Sequence, residues 1–255
     1  GEPLISAMQI GHGYMTEIKH KVDNEKTFNT HDTDKDHRID YNGNNSCANN
    51  ADNFLFDCVD LCVLEGSRIC IMGQNGCGKS TLLQIISGSI SPLEGSIHYA
   101  HGIKIGYFHQ NMADDLLEMD TNTAFKSSLS KKSSKVKTAL SYLTAKYTKK
   151  DEQELRGELS SFGLHARQIT TNLLHLSGGE RSRLCLADIM LSDPDILIMD
   201  EATNHLDVES VDALLYGLNT WNGTMVVVSH DSNFVRRLGG TCYVLLNRKL
   251  QRVVG

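Results

Sequence analysis

The chain has 255 residues, of which 40% are hydrophobic and 22% are charged, so it can bury the core of one large or two small globular domains. A formal net charge of −6 argues against a generally basic nucleic-acid-binding protein, but it does not exclude a local basic patch. The seven cysteines are odd in number, form no C-x-x-C pair and lie in several cases in apolar strand patterns, which predicts reduced, buried thiols in a cytoplasmic protein and not a disulfide framework. No hydrophobic run is long enough to span a bilayer, so we expect no direct membrane insertion.

Residues 1–53 carry the weakest structural signals. A strand is predicted over residues 15–22, and a second is predicted to end at Tyr41. The asparagine-rich residues 42–53 predict a loose loop. We therefore treat residues 1–53 as an N-terminal region of strands and polar loops.

A phosphate-binding P-loop follows an alternating strand over residues 54–64 and an apolar strand over residues 67–72. Residues 73–81 match G-x-x-x-x-G-K-[ST], and a helical pattern comes next. Glycines let the backbone N–H groups point at phosphate oxygens, Lys79 can reach the β- and γ-phosphates, and Ser80 can ligate Mg²⁺. A ligand-free glycine-rich turn is the alternative, and the complete motif in its strand–loop–helix context favours phosphate. The predicted ligand contacts are Gln74, Asn75, Gly76, Cys77, Gly78, Lys79, Ser80 and Thr81.

Two short strands, residues 96–99 and 104–108, precede His109 and Gln110. Residues 112–175 then change character, because an acidic stretch gives way to lysines mixed with apolar residues at helical spacing. We predict an inserted helical subdomain here. Its lysines are read as a solvated helix face in preference to a patch for RNA phosphates, although the second interpretation stays open.

Residues 176–180, Leu-Ser-Gly-Gly-Glu, open a predicted helix that runs to Met190. The apolar run 196–199 then reads as a buried parallel strand that ends in Asp200 and Glu201. Asp200 suits Mg²⁺ coordination, and Glu201 suits a general base that polarises water. The alternative is a strand that ends in solvated acids.

A further buried strand over residues 225–228 leads to His230. A lone histidine at the end of a strand is more often structural than catalytic. If this strand lies beside the acidic one in a parallel sheet, however, His230 comes close to the γ-phosphate. The final residues, 242–254, predict two strands that form a hairpin.

The order of these motifs resembles the nucleotide-binding domain of an ATP-binding cassette (ABC) ATPase, over about residues 54–255. The resemblance implies an α/β P-loop fold with a mixed sheet core, an N-terminal antiparallel β subdomain and an inserted helical subdomain at 112–175. The ATP-binding core would comprise residues 54–111 and 176–255. ATP and Mg²⁺ are the implied ligands, and a second ABC cassette is the implied partner.

The same resemblance assigns roles to single residues. Gln110 would be the Q-loop residue that senses Mg²⁺ and the attacking water. Asp207 would be the D-loop aspartate, and His230 the switch histidine. The signature that contacts the γ-phosphate of ATP held by a partner domain would be formed by Ser177, Gly178 and Gly179.

Residues 201–207, Glu-Ala-Thr-Asn-His-Leu-Asp, resemble the E-P-T-N-H-L-D of ABC-F proteins, which carry two cassettes and act on ribosomes. The Q-loop and the residues around His230 are also ABC-F-like, and the chain looks most like the C-terminal cassette of a eukaryotic member. The ribosome or its RNA is then an implied partner. Ala202 replaces the proline and looks more like transporter exporters, so the motor domain of a membrane transporter is the alternative.

By resemblance, an aromatic residue that stacks on adenine should lie about thirty residues before Lys79. No aromatic residue stands there. Tyr41 fits if the asparagine-rich loop is an insertion, Phe54 is the competitor, and we prefer Tyr41. The sequence does not decide between ATP and GTP.

Overall fold

The structure is a computed structural model, which describes residues 3–13, 54–109, 111–116, 137–204 and 206–253. The strands predicted over residues 15–22 and up to Tyr41 lie outside these described residues. The described chain folds into two sheets with helices between and around the strands.

The larger sheet has six strands in the order β5-β6-β7-β3-β8-β9. Neighbouring strands are parallel from β5 to β8, and the β8–β9 hairpin is antiparallel. Every residue of β6 and β7 is buried, as expected for parallel strands that are covered on both faces. The bounds are β3 Arg68–Gly73, β5 Ile105–Phe108, β6 Ile196–Asp200, β7 Thr224–Val228, β8 Thr241–Leu246 and β9 Lys249–Arg252.

Helices cover both faces of this sheet. Within the described residues they are α1 Lys79–Ile86, α2 Ala139–Lys146, α3 Glu152–Ser161, α4 Ala166–Thr170, α5 Gly178–Leu191, α6 Val208–Thr220 and α7 Ser232–Leu238, with residues 112–116 also helical. Successive residues of a strand point to opposite faces. Ile198 accordingly packs in the same buried cluster as the α1 residues, and Leu197 packs in the cluster that contains the α5 residues.

The helices between residues 137 and 175 pack against α5. Leu143 of α2 and Leu155 and Leu159 of α3 are fully buried, in the same cluster as Leu184 of α5. Helix α3 matches the helical pattern that the sequence indicates from 151 to 162. The apolar stripes of α2 and α3 therefore fix α5, which follows the signature residues, against the rest of this helical layer.

A smaller antiparallel sheet with the order β2-β1-β4 packs on the α1 side of the molecule. It is formed by β1 Pro3–Gly13, β2 Phe54–Leu64 and β4 Glu94–Tyr99. Together the two sheets confirm the expected fold class, an α/β P-loop fold with a mixed sheet and an antiparallel β subdomain. The sequence did not locate β1, because bulges between Ala7 and Ile10 and again near His12 shift its register and hide the alternation.

The cysteines only partly follow the expectation of reduced thiols. Free thiols are present at Cys62, Cys70, Cys77, Cys185 and Cys242. Cys58, on β2, is disulfide-bonded, so the expectation was wrong at this position. The absence of a C-x-x-C spacing does not exclude a disulfide between cysteines at other spacings, since the fold decides which of them meet.

Candidate functional site

The P-loop connects the end of β3 to the start of α1, and its conformation depends on glycine. Gly76 and Gly78 have φ values of 77° and 100°, in the region that side-chain-bearing residues avoid. A Cβ atom on Gly78 would also lie 2.9 Å from Cδ1 of Phe56. Glycine is therefore required at position 78 both for the turn and for the close approach of β2.

Lys79 is buried, with 6% of its surface exposed, and its ammonium group closes the loop on itself. Its Nζ donates to the carbonyl oxygens of Gly73 at 3.0 Å and Gln74 at 2.8 Å. A buried cation is costly unless it is bonded. The two loop carbonyls accept these hydrogen bonds and hold the ammonium group near the start of α1, where phosphate oxygens are expected.

Asp200 and Glu201 lie at the end of β6, which β7 separates from β3, and both residues are buried. Glu201 has a φ of 52°, which is unusual for a residue with a side chain. Its backbone N–H donates to the carbonyl of Val228 on β7 at 3.0 Å, and this bond helps to hold the strained turn. Strain of this kind is concentrated at functional sites, because it orients a side chain that relaxed backbone would not.

His230 follows β7 and faces Glu201. The distance from His230 Nε2 to Glu201 Oε1 is 3.1 Å, which is close enough for an ion pair. Within the described residues, however, neither Glu201 oxygen accepts a hydrogen bond of good geometry. We therefore regard the contact as electrostatic, with the carboxylate oxygens free to accept from a ligand.

Burial dominates the electrostatics of the two acids. It raises the pKa of Asp200, and the hydrogen bond from Ser80 and the charge of Lys79 oppose that shift. Burial also raises the pKa of Glu201, against the opposing charges of His230 and Lys79. Both carboxylates thus sit in a site that penalises negative charge unless cations approach, which is the arrangement expected around a cation–phosphate ligand.

These elements open into one cleft of about 630 Å³, within the size range of small-molecule sites. It forms where the carboxyl ends of β3, β6 and β7 meet, the position at which parallel α/β sheets bind ligands. Sequence reasoning missed Leu55 from β2, and it noted Asn204 only as part of a motif. The lining residues are Leu55, Asn75, Gly76, Gly78, Lys79, Ser80, Thr81, Glu201, Asn204 and His230.

The signature residues lie outside this cleft. Ser177 caps α5 by accepting from the N–H of Glu180 at 3.2 Å, and the Glu180 side chain accepts from the N–H of Ser177 at 2.8 Å. Ser177 and Gly178 are exposed. The N-terminus of α5 therefore presents free N–H groups to solvent and not to the P-loop of its own chain.

Asp207 occupies a similar position at the start of α6. It accepts from the N–H of Ser210 at 2.8 Å, and its hydrogen bonds with Ser210 lower its pKa. The signature and the start of α6 are neighbours, since a Cβ on Gly179 would lie 3.3 Å from Oγ of Ser210. Two more predicted site residues, Tyr41 and Gln110, lie outside the described residues.

The raised pKa values of the buried acids predict a stability change in the ligand-free protein. A carboxyl group whose pKa is raised on folding stabilises the fold when protonated, and this contribution is lost as pH rises through the folded pKa. At neutral pH the ionised Glu201 therefore costs stability. We expect Glu201→Gln to raise the melting temperature at pH 7 by on the order of 2–4 °C.

Thermal melts of both proteins from pH 4 to 8 measure this effect. The difference between the variant and the wild type should shrink as pH falls toward 4.5, the ordinary pKa of a glutamate. A variant that melts below the wild type at pH 7 would mean that the charged Glu201 is stabilised by His230 more than burial penalises it.

The fold and the cleft define a P-loop nucleotide-binding domain. Residues 56–204 match the family described as ABC transporter, and the chain belongs to this family of ABC ATPases. It is 35% identical to YheS of Escherichia coli K12, over 80% of this chain and 29% of that protein. It is also 35% identical to human ATP-binding cassette sub-family F member 3, over 74% of this chain and 24% of that protein. The chain thus spans less than a third of these relatives.

Solved structures of ABC cassettes share the fold. A dimeric bacterial ABC transporter cassette matches 98% of this chain and 99% of its own, with 21% identity and a TM-score of 0.65. The same cassette in a post-hydrolysis dimer bound to ADP and Pi gives a TM-score of 0.62, with 21% identity over 98% of this chain and 99% of its own. Within the described residues, no helix is both long and apolar enough to cross a bilayer.

Proposed function

We propose that this cassette binds ATP with Mg²⁺ and hydrolyses it to ADP and phosphate. The observation that carries the proposal is the convergence of Lys79, Glu201 and His230 on one cleft, with Asp200 hydrogen-bonded to Ser80, which lines the same cleft. A cation after β3 and, at the end of β6, a base and a candidate metal ligand are the parts that P-loop ATPases require, and His230 follows β7, which lies between these two strands.

The polar atoms of this site fit the proposed ligands. Lys79 would exchange its bonds to the loop carbonyls for phosphate oxygens, and the N–H groups of the P-loop would donate to them. Ser80 and Asp200 would hold Mg²⁺, since Oδ1 of Asp200 is buried with no hydrogen-bond partner among the described residues. Bound Mg²⁺ would neutralise charge on the β- and γ-phosphate oxygens. Gln110 remains the predicted Q-loop residue.

Glu201 supplies the base in this proposal. Its two unpartnered oxygens can accept a hydrogen bond and then a proton from the attacking water, and the strained turn fixes their direction. The burial that raises its pKa also strengthens it as a base. His230, 3.1 Å from the carboxylate, can orient it and donate to the γ-phosphate.

A second cassette would complete the site. Ser177, Gly178 and Gly179 do not line the cleft of their own chain, and a related cassette fold forms dimers. We propose that the signature of one cassette closes on the γ-phosphate held by another, with Asp207 at the same interface. The partner is a second copy or another cassette of the same protein.

This pairing predicts ATPase activity that depends on protein concentration. When only pairs are active, the rate per cassette should rise with concentration until the pairs dominate, so the total rate climbs faster than linearly. Phosphate release measured over a hundredfold range of protein concentration tests the prediction. A strictly linear rate would contradict a site shared between two chains.

A second prediction concerns which aromatic residue stacks on adenine. Tyr41 is the choice from sequence and Phe54 its competitor, but β1 ends at Gly13, which pairs with Phe54. The neighbouring Leu55 lines the cleft. Tyr14 follows Gly13 in the sequence and therefore joins the candidates, and we now prefer it.

Alanine variants of the three aromatic residues separate these choices by ATP titration. Stacking on a base is worth about 1–3 kcal/mol, so the correct variant should lose at least about fivefold in affinity. Unchanged affinity in Tyr14→Ala, with a loss in Tyr41→Ala or Phe54→Ala, would reverse our preference.

We further propose that the protein works in the cytoplasm as an ABC-F-type regulator of translation on the ribosome. Its similarity to human sub-family F member 3 and the Asn204-His205 pair support this proposal. The motor domain of a membrane transporter is the second candidate. Ala202 favours this candidate. It is buried, directly after Glu201, and it stands where the ABC-F pattern has proline.

Sedimentation distinguishes the two candidates. Glu201→Gln should trap the ATP-bound state, so the variant protein is run from cell lysate through a sucrose gradient with and without ATP. Comigration with ribosomes that requires ATP supports the translational role. Recovery in the membrane pellet, with none on ribosomes, would refute it in favour of the transporter motor.

A further inference from the structure

One buried carboxylate outside the cleft has an unusual set of partners. Asp188 lies in the last turn of α5 and is only 3% exposed. An anion near the C-terminus of a helix is repelled by the helix dipole, and burial removes the water that would otherwise solvate it. The carboxyl group of Asp188 therefore needs hydrogen-bond partners to offset the cost of its burial at this position.

Two side chains of α2, Tyr142 and Lys146, and the residue that caps its C-terminus, Tyr147, supply these partners. Nζ of Lys146 donates to Oδ2 at 2.7 Å, and the Tyr142 hydroxyl donates to the same oxygen at 2.9 Å. The Tyr147 hydroxyl lies 2.9 Å from Oδ1 and 2.5 Å from the carbonyl oxygen of Asp188. The ammonium of Lys146 also lies 5.5 Å from the centre of the Tyr147 ring. We call these four residues the Asp188 clamp.

The two tyrosine hydroxyls of the clamp are protonated, as their role as hydrogen-bond donors requires. Burial raises the pKa of both tyrosines, so they keep the protons that they donate. Lys146 supplies the positive charge of the clamp, and its side chain is half exposed, so it can be substituted without opening a cavity in the core. The clamp joins α2 to α5 through directional bonds to one carboxylate, and these permit fewer relative orientations than apolar contacts alone.

The two ends of α5 are held very differently. At the signature end, Arg181 pairs with Asp114 at 3.5 Å, and Asp114 is 77% exposed. The pair is open to solvent on the Asp114 side and contributes little, but the Arg181 side chain is only 15% exposed and also donates to the carbonyl oxygen of Leu176 at 2.6 Å. Arg183 adds one bond to the carbonyl oxygen of Gly163 at 3.2 Å. The arginine contacts at the signature end are to backbone carbonyls and an exposed acid, whereas the bonds that three side chains make to one buried carboxylate are at Asp188, which is eleven residues, or about 16 Å, from Ser177.

We propose that Asp188 is a positioning residue for the signature, which the clamp orients by fixing the far end of α5 to α2. A tilt of about 5° at the clamp would move Ser177 by about 1.4 Å over this length. A displacement of about 1 Å in a reacting group can cost about a hundredfold in rate. The functional part of this inference rests on the proposed ATPase, whereas its structural part does not.

Lys146→Met is the first test, because it removes the cation and leaves the carboxylate in place. Amide hydrogen exchange in the ligand-free protein should accelerate about tenfold at Glu180, Arg181 and Ser182, the first amides of α5 with a hydrogen-bond acceptor, and not only beside the substitution. Lys146→Arg should restore the wild-type exchange pattern. Arg156→Met, which breaks an exposed ion pair with Glu152 on α3, is the matched control and should leave exchange at 180–182 unchanged.

The ATPase assay supplies a second readout. We expect Lys146→Met to lower turnover about tenfold while ATP binding to its own P-loop stays within twofold, a split that simple destabilisation would not produce. If Lys146→Met fails to fold, Tyr147→Phe removes one hydroxyl and takes its place with the same expectations in milder form.

Either of two results would overturn the proposal. In one, faster exchange is confined to residues 139–147 and 185–191, with the signature turn unchanged. In the other, binding and turnover fall together in proportion to the loss of folded protein. A wild type without ATPase activity would refute the proposed function alone, since the exchange measurement still decides the role of the clamp.

Discussion

Replacing Glu201 with glutamine is expected to lower the rate of ATP hydrolysis by about 10²–10⁴-fold, the usual contribution of a general base. The amide has nearly the shape of the carboxylate but cannot accept the proton of the attacking water. The P-loop, Lys79 and Asp200 are unchanged, so affinity for ATP should stay within about threefold. The variant should therefore accumulate with ATP bound instead of ADP.

Single-turnover hydrolysis and equilibrium binding of ATP measure the two quantities separately. Glu209→Gln is the matched control, because Glu209 is an exposed acid in the first turn of α6, eight residues further on. Its rate should equal that of the wild type. A Glu201→Gln protein that turns over at more than a tenth of the wild-type rate would remove Glu201 from the role of base.

Gly178→Asp is expected to abolish most of the turnover without harming the fold. Nothing lies within 4 Å of a Cβ at Gly178, and the residue is exposed at the start of α5. An acid in the first turn of a helix interacts favourably with the helix dipole. The same carboxylate would face the γ-phosphate of ATP on the second cassette, where like charges repel, and we expect a loss of about 10²-fold or more.

Gly157→Asp provides the control for this substitution. Gly157 is also an exposed helical glycine with no atom within 4 Å of its Cβ position, but it lies on α3, away from the signature. Steady-state turnover and melting temperature should be close to wild type in the control. Normal turnover in Gly178→Asp would show that the signature does not meet a phosphate.

Local patterns predicted most of the larger sheet. The P-loop, the acids after β6 and the position of His230 each follow an apolar run, and apolar runs of that length mark buried parallel strands. The parallel order of the sheet then brings the ends of β3, β6 and β7 together. The sequence could therefore predict the cleft, because most of the residues that line it follow strands that the apolar runs identify.

Other features depend on contacts that no local pattern records. The bulges in β1 break its alternation, so residues with buried side chains such as Ile10 do not keep a two-residue period. The clamp joins Tyr142 and Asp188, which are 46 positions apart, and neither residue stands in a recognisable motif. The positive φ of Glu201, whose N–H bonds to the carbonyl of Val228 on another strand, is likewise not predictable from its residue type.

The central claim is that each ATP site is shared by two cassettes, and mixing two inactive variants tests it most directly. Glu201→Gln lacks the base but keeps its signature, whereas Gly178→Asp keeps the base but lacks a working signature. In a mixed pair, one site combines the intact base of the second protein with the intact signature of the first. We predict that mixing restores activity, up to about a quarter of the wild-type rate if pairs form at random. A mixture no more active than either variant alone, beside an active wild type, would contradict the shared site.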